Sequence, residues 1–200
     1  MFSVLRDLFR GAKESMREDA IASDDAMIEF ISTRAAHVAQ TSLYGYLRTR
    51  MGTRQREIFQ DETFTGPMQT ARRAMLMHCL SDLCVFAASL VEGDRPSLAR
   101  RWFVDAALAA EVDLPDVMLS EGLARFDSRM ATVDWADASE REGAFTESPP
   151  GLIACAPVID HFKQLDEEIV RNSVRFRWTD VRRQLRDRVR PYAFGETVRG

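Results

Sequence analysis

A chain of 200 residues, 46% hydrophobic and 29% charged, carries enough apolar material for one globular domain with a proper core, which excludes disorder throughout. Its formal charge is −4, and Lys13 and Lys163 are its only lysines, so the basic complement is almost all arginine. Three cysteines, Cys79, Cys84 and Cys155, are an odd count that excludes a disulfide scaffold and points to a reducing cytoplasm.

Residues 1–20 predict an amphipathic helix. Met1, Phe2, Leu5, Leu8, Phe9, Ala12 and Met16 share one side, and Arg6, Arg10, Lys13 and Arg17 line its flank. Such a helix either docks on the core or a partner helix, or lies in an anionic membrane surface with Phe2, Leu5 and Phe9 as its anchor. Arg6, Asp7 and Arg10 break the apolar residues and no A-x-A-like site follows, so no secretory signal is expected.

A helical core is expected over 21–130. Ser23 offers an N-cap, and Asp24 and Asp25 stand where the helix dipole favours negative charge. An apolar stripe through Met27, Phe30, Ile31, Ala35 and Val38 runs on to Leu47 and Met51, where Gly52 offers a stop. The polar stretch from Thr53 to Thr65 ends in Gly66 and Pro67, a breaker and a first-turn residue, which predicts a helical hairpin. Ala74 to Val91 is the most hydrophobic segment. It reaches the lower length limit of a membrane span, but Asp82 near its middle favours the buried central helix of a bundle.

His78 and Asp82, four apart there, could meet as components of a catalytic or metal site. The competing expectation is a buried carboxylate satisfied by His78, Arg72 or Arg73. Pro96, Ser97 and Leu98 open a further helix with Leu98, Trp102, Asp105 and Ala109 on one side, and Leu114 and Pro115 end it. Another helix is predicted for Asp116 to Met130, with Val117, Met118, Leu119, Leu123 and Phe126 as its apolar contacts.

The stretch 131–151, net −4 and closed by Pro149, Pro150 and Gly151, reads as an acidic surface loop. A long C-terminal helix is predicted within 152–190, starting near Pro157, with 191–200 as a tail. Its apolar residues form two stripes about 150° apart on the helical wheel. Val158, Phe162, Leu165, Ile169 and Phe176 are expected to close the bundle, and Val170, Val174, Val181, Leu185 and Val189 to face a partner or a membrane. A break near Asn172 or Ser173 would instead let both pieces pack internally.

From Arg171 to Arg190, eight arginines oppose only Asp180 and Asp187, a local charge of +6. Arg171, Arg175, Arg182, Arg186 and Arg190 fall within about a third of the wheel, with Trp178 at the edge. Guanidinium binds oxyanions bidentately and keeps its charge, so this stripe suits an acidic partner or an anionic surface. It equally suits cations that are solvated, laid on apolar neighbours, or paired with acids of the same chain such as those of 131–151.

Ile31 to Leu47, ISTRAAHVAQTSLYGYL, resembles the end of the helix-turn-helix of TetR-type repressors through Thr41, Ser42, Leu43, Tyr44 and Tyr46. Ala36, His37 and Val38 stand where that family places its turn glycine, so the DNA-binding reading ranks second. TSLYGYLRTRMGT (41–53) and LDEEIVRNSVRFRWTDVRRQ (165–184) resemble a family of uncharacterised α-proteobacterial all-helical proteins, which implies a fixed local pattern around Asn172 and Trp178 and no activity.

The chain contains no G-x-S-x-G elbow, phosphate-loop, dinucleotide or His-Glu-x-x-His signature. The expectation is an all-α single-domain bundle of five to seven helices, without cofactor or metal, in the cytoplasm or at the inner face of the membrane. Its expected role is that of a non-catalytic adaptor, assembly or regulatory protein that binds an acidic protein or an anionic membrane through Arg171, Arg175, Trp178, Arg182 and Arg186. An enzyme with a helical pocket around His78 and Asp82 is the third reading. Replacing Arg175, Arg182 and Arg186 together by Gln is expected to weaken binding and leave thermal unfolding nearly unchanged.

Overall fold

The computed structural model describes residues 20–52, 57, 60–110, 112–140 and 143–194. Among these are seven helices and no strand, packed as a single bundle. They are α1 (Asp24–Met51), α2 (Glu62–Ser89), α3 (Arg95–Ala109), α4 (Asp116–Met130), α5 (Trp135–Glu140), α6 (Ser148–Cys155) and α7 (Asp160–Arg188), followed by a 3-10 turn at Pro191–Phe194.

Local chemistry sets most of the boundaries. The Ser23 hydroxyl accepts from the Ala26 N–H at 3.2 Å, and Asp94 accepts from the Ser97 N–H to open α3. Gly52 ends α1 at φ 54°, a left-handed conformation that glycine adopts without a Cβ clash. The expected break at Gly66 and Pro67 does not occur. Asp61 caps α2 through the Thr63 N–H, and Pro67 sits within the second turn, where a missing N–H interrupts a single intrahelical bond.

From Met75 to Ser89 every residue of α2 except half-buried His78 is buried, which makes it the central helix. It packs on α1, α3, α4, α5 and α6, and its contact with α1 is the most extensive in the bundle. Gly122 of α4 allows one of these approaches, since a Cβ there would meet the Met77 methyl at 2.4 Å. No helix among the described residues is long and apolar enough to cross a membrane. On α3 the buried side is Leu98, Ala99, Trp102, Phe103, Ala106 and Ala107, while Ala109 is exposed; on α4 Val117 is exposed.

The stretch 131–151 is not a surface loop. It contains α5 and the start of α6, and Ala138, Ala144, Phe145, Ser148, Pro149 and Gly151 are buried. Phe145 wedges between Phe86 of α2 and Trp178 of α7, with ring centroids 5.3 and 4.9 Å away. A few small or aromatic residues anchor the segment while Asp134, Asp137 and Glu140 are exposed, so net charge was a poor guide to burial.

The expected long C-terminal helix is present as one uninterrupted α7 of 29 residues, without the alternative break near Asn172 or Ser173, but its two stripes exchange roles. Val170, Val174, Val181, Leu185 and Val189 are in the core together with Trp178. Phe162, Leu165, Ile169 and Phe176 are 40%, 64%, 70% and 79% exposed. Entry to α1 is tied to the exit of α7: Ile21 donates to the Arg188 carbonyl and accepts from the Arg190 N–H, both at 2.9 Å.

Candidate functional site

The residues expected to meet a partner are largely engaged inside the molecule. Trp178 is 1% exposed, and its Nε1–H donates to the Ser148 hydroxyl at 2.9 Å, so this indole belongs to the core and not to a binding surface. Arg182 is half-buried over the Phe86 and Phe145 rings, 5.9 and 5.6 Å from their centroids. Arg186 lies 5.2 Å from the Phe86 centroid and donates to the carbonyls of Ser139 and Glu140 at 2.5 and 3.2 Å. The segment 131–151 is therefore the neighbour of the arginines, meeting Arg186 with the backbone carbonyls of Ser139 and Glu140 and Arg182 with the Phe145 ring. Arg175 is half-buried and engaged, and Arg171 is exposed and bonded to Glu167 at 2.6 Å. Phe2, Leu5 and Phe9 lie outside the described residues.

His78 and Asp82 do not form a pair, and neither Arg72 nor Arg73 reaches Asp82. Arg129 of α4 does, at 3.0 Å, while also donating to the Ser81 hydroxyl and the Ala144 carbonyl. The Glu147 and Ser148 N–H groups donate to the same carboxylate at 3.0 and 2.8 Å, so Asp82 of α2 caps α6, whose own residues supply no side-chain cap. Burial pushes the Asp82 carboxyl up; the Arg129 charge, the Ser148 side chain and the two N–H groups oppose it. The partner of His78 is Glu147, 3.5 Å from its Nδ1. This arrangement holds three helices together.

Among the described residues no three His, Cys, Asp or Glu side chains gather as metal ligands. Burial raises the Cys79 and Cys84 thiols, and the Cys155 thiol to about 11, so all three are held protonated at neutral pH. The segment that resembles a helix-turn-helix, Ile31 to Leu47, lies wholly within α1 and forms no turn.

What the fold leaves open is the outer face of α7. Phe162, Leu165, Ile169 and Phe176 recur at intervals of three, four and seven, and Asn172, exposed, fills the remaining position of the heptad seam. Asp160, Glu167, Glu168 and Arg171 are exposed on the first half of the helix, and Arg183 and Arg186 on the second together with Asp180 and Asp187; over the whole sequence the second half, 175–188, holds six arginines against those two acids. The sequence carried this seam in its spacing. Two apolar stripes on one helix cannot be ranked for burial without their neighbours, and the more β-branched one, with the indole, is the one that packs.

Compared with protein-family models, characterised proteins and solved structures, the chain finds no match.

Proposed function

We propose that the chain is a non-catalytic helical assembly protein that pairs the outer face of α7 with the same face of a second copy. The observation that carries this reading is the exposed row Phe162, Leu165, Ile169 and Phe176, with spacing that suits knobs-into-holes packing and not solvent. Charge selects the partner. A helix acidic in its first half and basic in its second complements itself when two copies run antiparallel about a two-fold axis near Ile169 and Asn172, which sets the first half of one copy against the second half of the other. The acidic partner that the arginines call for is thus supplied by α7 itself.

Light scattering after gel filtration tests it. The protein should run at twice the monomer mass, and Leu165→Glu with Phe176→Glu should return it to a monomer that keeps its helical content and cooperative unfolding. A monomeric parent protein overturns the reading, as does a parent that floats with anionic phosphatidylglycerol vesicles but not with neutral phosphatidylcholine ones, which would assign the face to a membrane.

A further inference from the structure

Between α1 and α7 runs a cavity of about 210 Å³ in which two polar groups lack partners. Ser42 is 3% exposed, and its Oγ has no hydrogen-bond partner. Across from it Arg177 is half-buried, its Nε–H is buried without an acceptor, and it forms no ion pair among the described residues. The Nε–H groups of Arg73, Arg175 and Arg182 are also buried without an acceptor, but Ser42 is the one hydroxyl so placed among the described residues. A buried orphan hydroxyl facing a cavity that a guanidinium also lines asks for a cause.

The acid that could have supplied it is already taken. Asp166, 2% exposed in the same wall, accepts the Tyr46 hydroxyl at 3.0 Å and is salt-bridged to Arg50, which leaves the Arg177 charge uncompensated. Elsewhere the fold does compensate, as Arg129 does for Asp82. The close approach of Arg177 to α1 depends on Gly45, where a Cβ would sit 3.1 Å from the guanidinium Nη2. A second cavity of about 520 Å³ shares Ser173 and Arg177 and adds Arg34, with Arg183 and Asp180 paired on its wall.

We infer that the α1–α7 cavity is a binding site for a small oxyanion, held by the Arg177 guanidinium and the Ser42 hydroxyl. Both groups donate, and a phosphate or carboxylate oxygen accepts from both at once, returning the hydrogen bonds that each loses on burial. The volume admits an inorganic oxyanion or a short organic acid. Leu152, Ile169 and Val170 in the lining offer contact to a few carbons, while the adjoining cavity gives a longer ligand a way out. This site adjoins the seam through Ile169, which none of the variants that test it alters. Leu165 is not part of its lining, and anion binding is read independently of oligomeric state.

Calorimetric titration of the full chain with inorganic phosphate and with butyrate, at constant ionic strength in chloride, tests it and separates the two sources. At least one of the two should bind. Arg177→Gln should weaken that binding at least tenfold and Ser42→Ala several-fold, with unfolding temperatures held. Gly45→Ala keeps the cation and favours the helix, yet its methyl crowds the guanidinium, so anion binding should fall while the fold holds even if Arg177→Gln does not fold. Failure of both anions to bind, or binding that survives both Arg177→Gln and Gly45→Ala, overturns the proposal.

Discussion

Arg129 and Asp82 meet at 3.0 Å with 10% and 0% of their side chains exposed, and that single pair joins the central helix, the end of α4 and the start of α6. Breaking a buried pair leaves an uncompensated charge, so Arg129→Met should destabilise by about 3–5 kcal/mol in denaturant unfolding. Replacing the pair by two apolar residues rescues some buried ion pairs, but here Asp82→Leu also strips the Glu147 and Ser148 N–H groups of their acceptor. The double variant Asp82→Leu, Arg129→Met should therefore stay at least as unstable as Arg129→Met alone. Recovery of parental stability in the double variant would show that the cap on α6 contributes nothing.

Gly151 of α6 lies under the His78 ring, whose nearest carbon would be 2.4 Å from a Cβ at that position. The clash is with a ring and not a flexible tip, so Gly151→Ala should cost about 1–3 kcal/mol despite the better helix propensity of alanine. It should also alter the response to acid. The hydrogen bond from His78 lowers the Glu147 pKa below its ordinary value of 4.5, against a smaller upward push from burial. A lowered carboxylate stabilises the fold above its unfolded pKa, and that contribution is lost as pH falls through the lowered value. Unfolding of Gly151→Ala followed from pH 7 to pH 3 should show a shallower acid loss than the parent protein.

The bundle itself was legible because helix boundaries are written locally: Ser23 caps, Gly52 stops, and the α4 span was predicted as Asp116 to Met130. The α2 core was legible because no other segment is so apolar. The partner of Asp82 was not, since Arg129 stands 47 residues away and nothing local distinguishes it from Arg72 or Arg73. For the same reason the arginine stripe looked like a surface. Which side of a doubly amphipathic helix faces the core is decided by Phe86 and Phe145, both distant in sequence. The Ser42 and Arg177 cavity was invisible, because an unpaired group is a property of everything that surrounds it.

The arginines of α7 now carry an expectation opposite to that drawn from their spacing alone. Arg182 and Arg186 cover aromatic rings of the core, and Arg186 also binds two carbonyls at the end of α5. Cation–π contacts at partly exposed sites are worth about 0.5–1 kcal/mol each. Replacing Arg175, Arg182 and Arg186 by Gln should thus lower stability by on the order of 2 kcal/mol, with the hydrogen bonds of Arg186 added. In a domain of this size that is a fall of roughly 4–8 °C in calorimetry. Arg183→Gln, which removes only an exposed pair with Asp180, should change stability by less than about 0.5 kcal/mol. An unfolding temperature unchanged in the triple variant would return these side chains to the solvent.

Trp178 tests whether the centre of the bundle acts as a unit. Its indole donates to the Ser148 hydroxyl, and the Ser148 N–H in turn donates to Asp82 at 2.8 Å, so a hydrogen-bonded line runs from α7 through α6 into α2. Trp178→Ala opens a cavity beside Phe145 and should cost about 3–5 kcal/mol. Trp178→Phe keeps most of the packing and removes the donor, for a smaller loss of about 1–2 kcal/mol. Because the groups share one network, the losses from Trp178→Phe and Asp82→Asn should not add. A double-mutant cycle in denaturant should show a coupling of at least about 0.5 kcal/mol, whereas strict additivity would mean that the indole packs in the core without steering Ser148 toward the carboxylate.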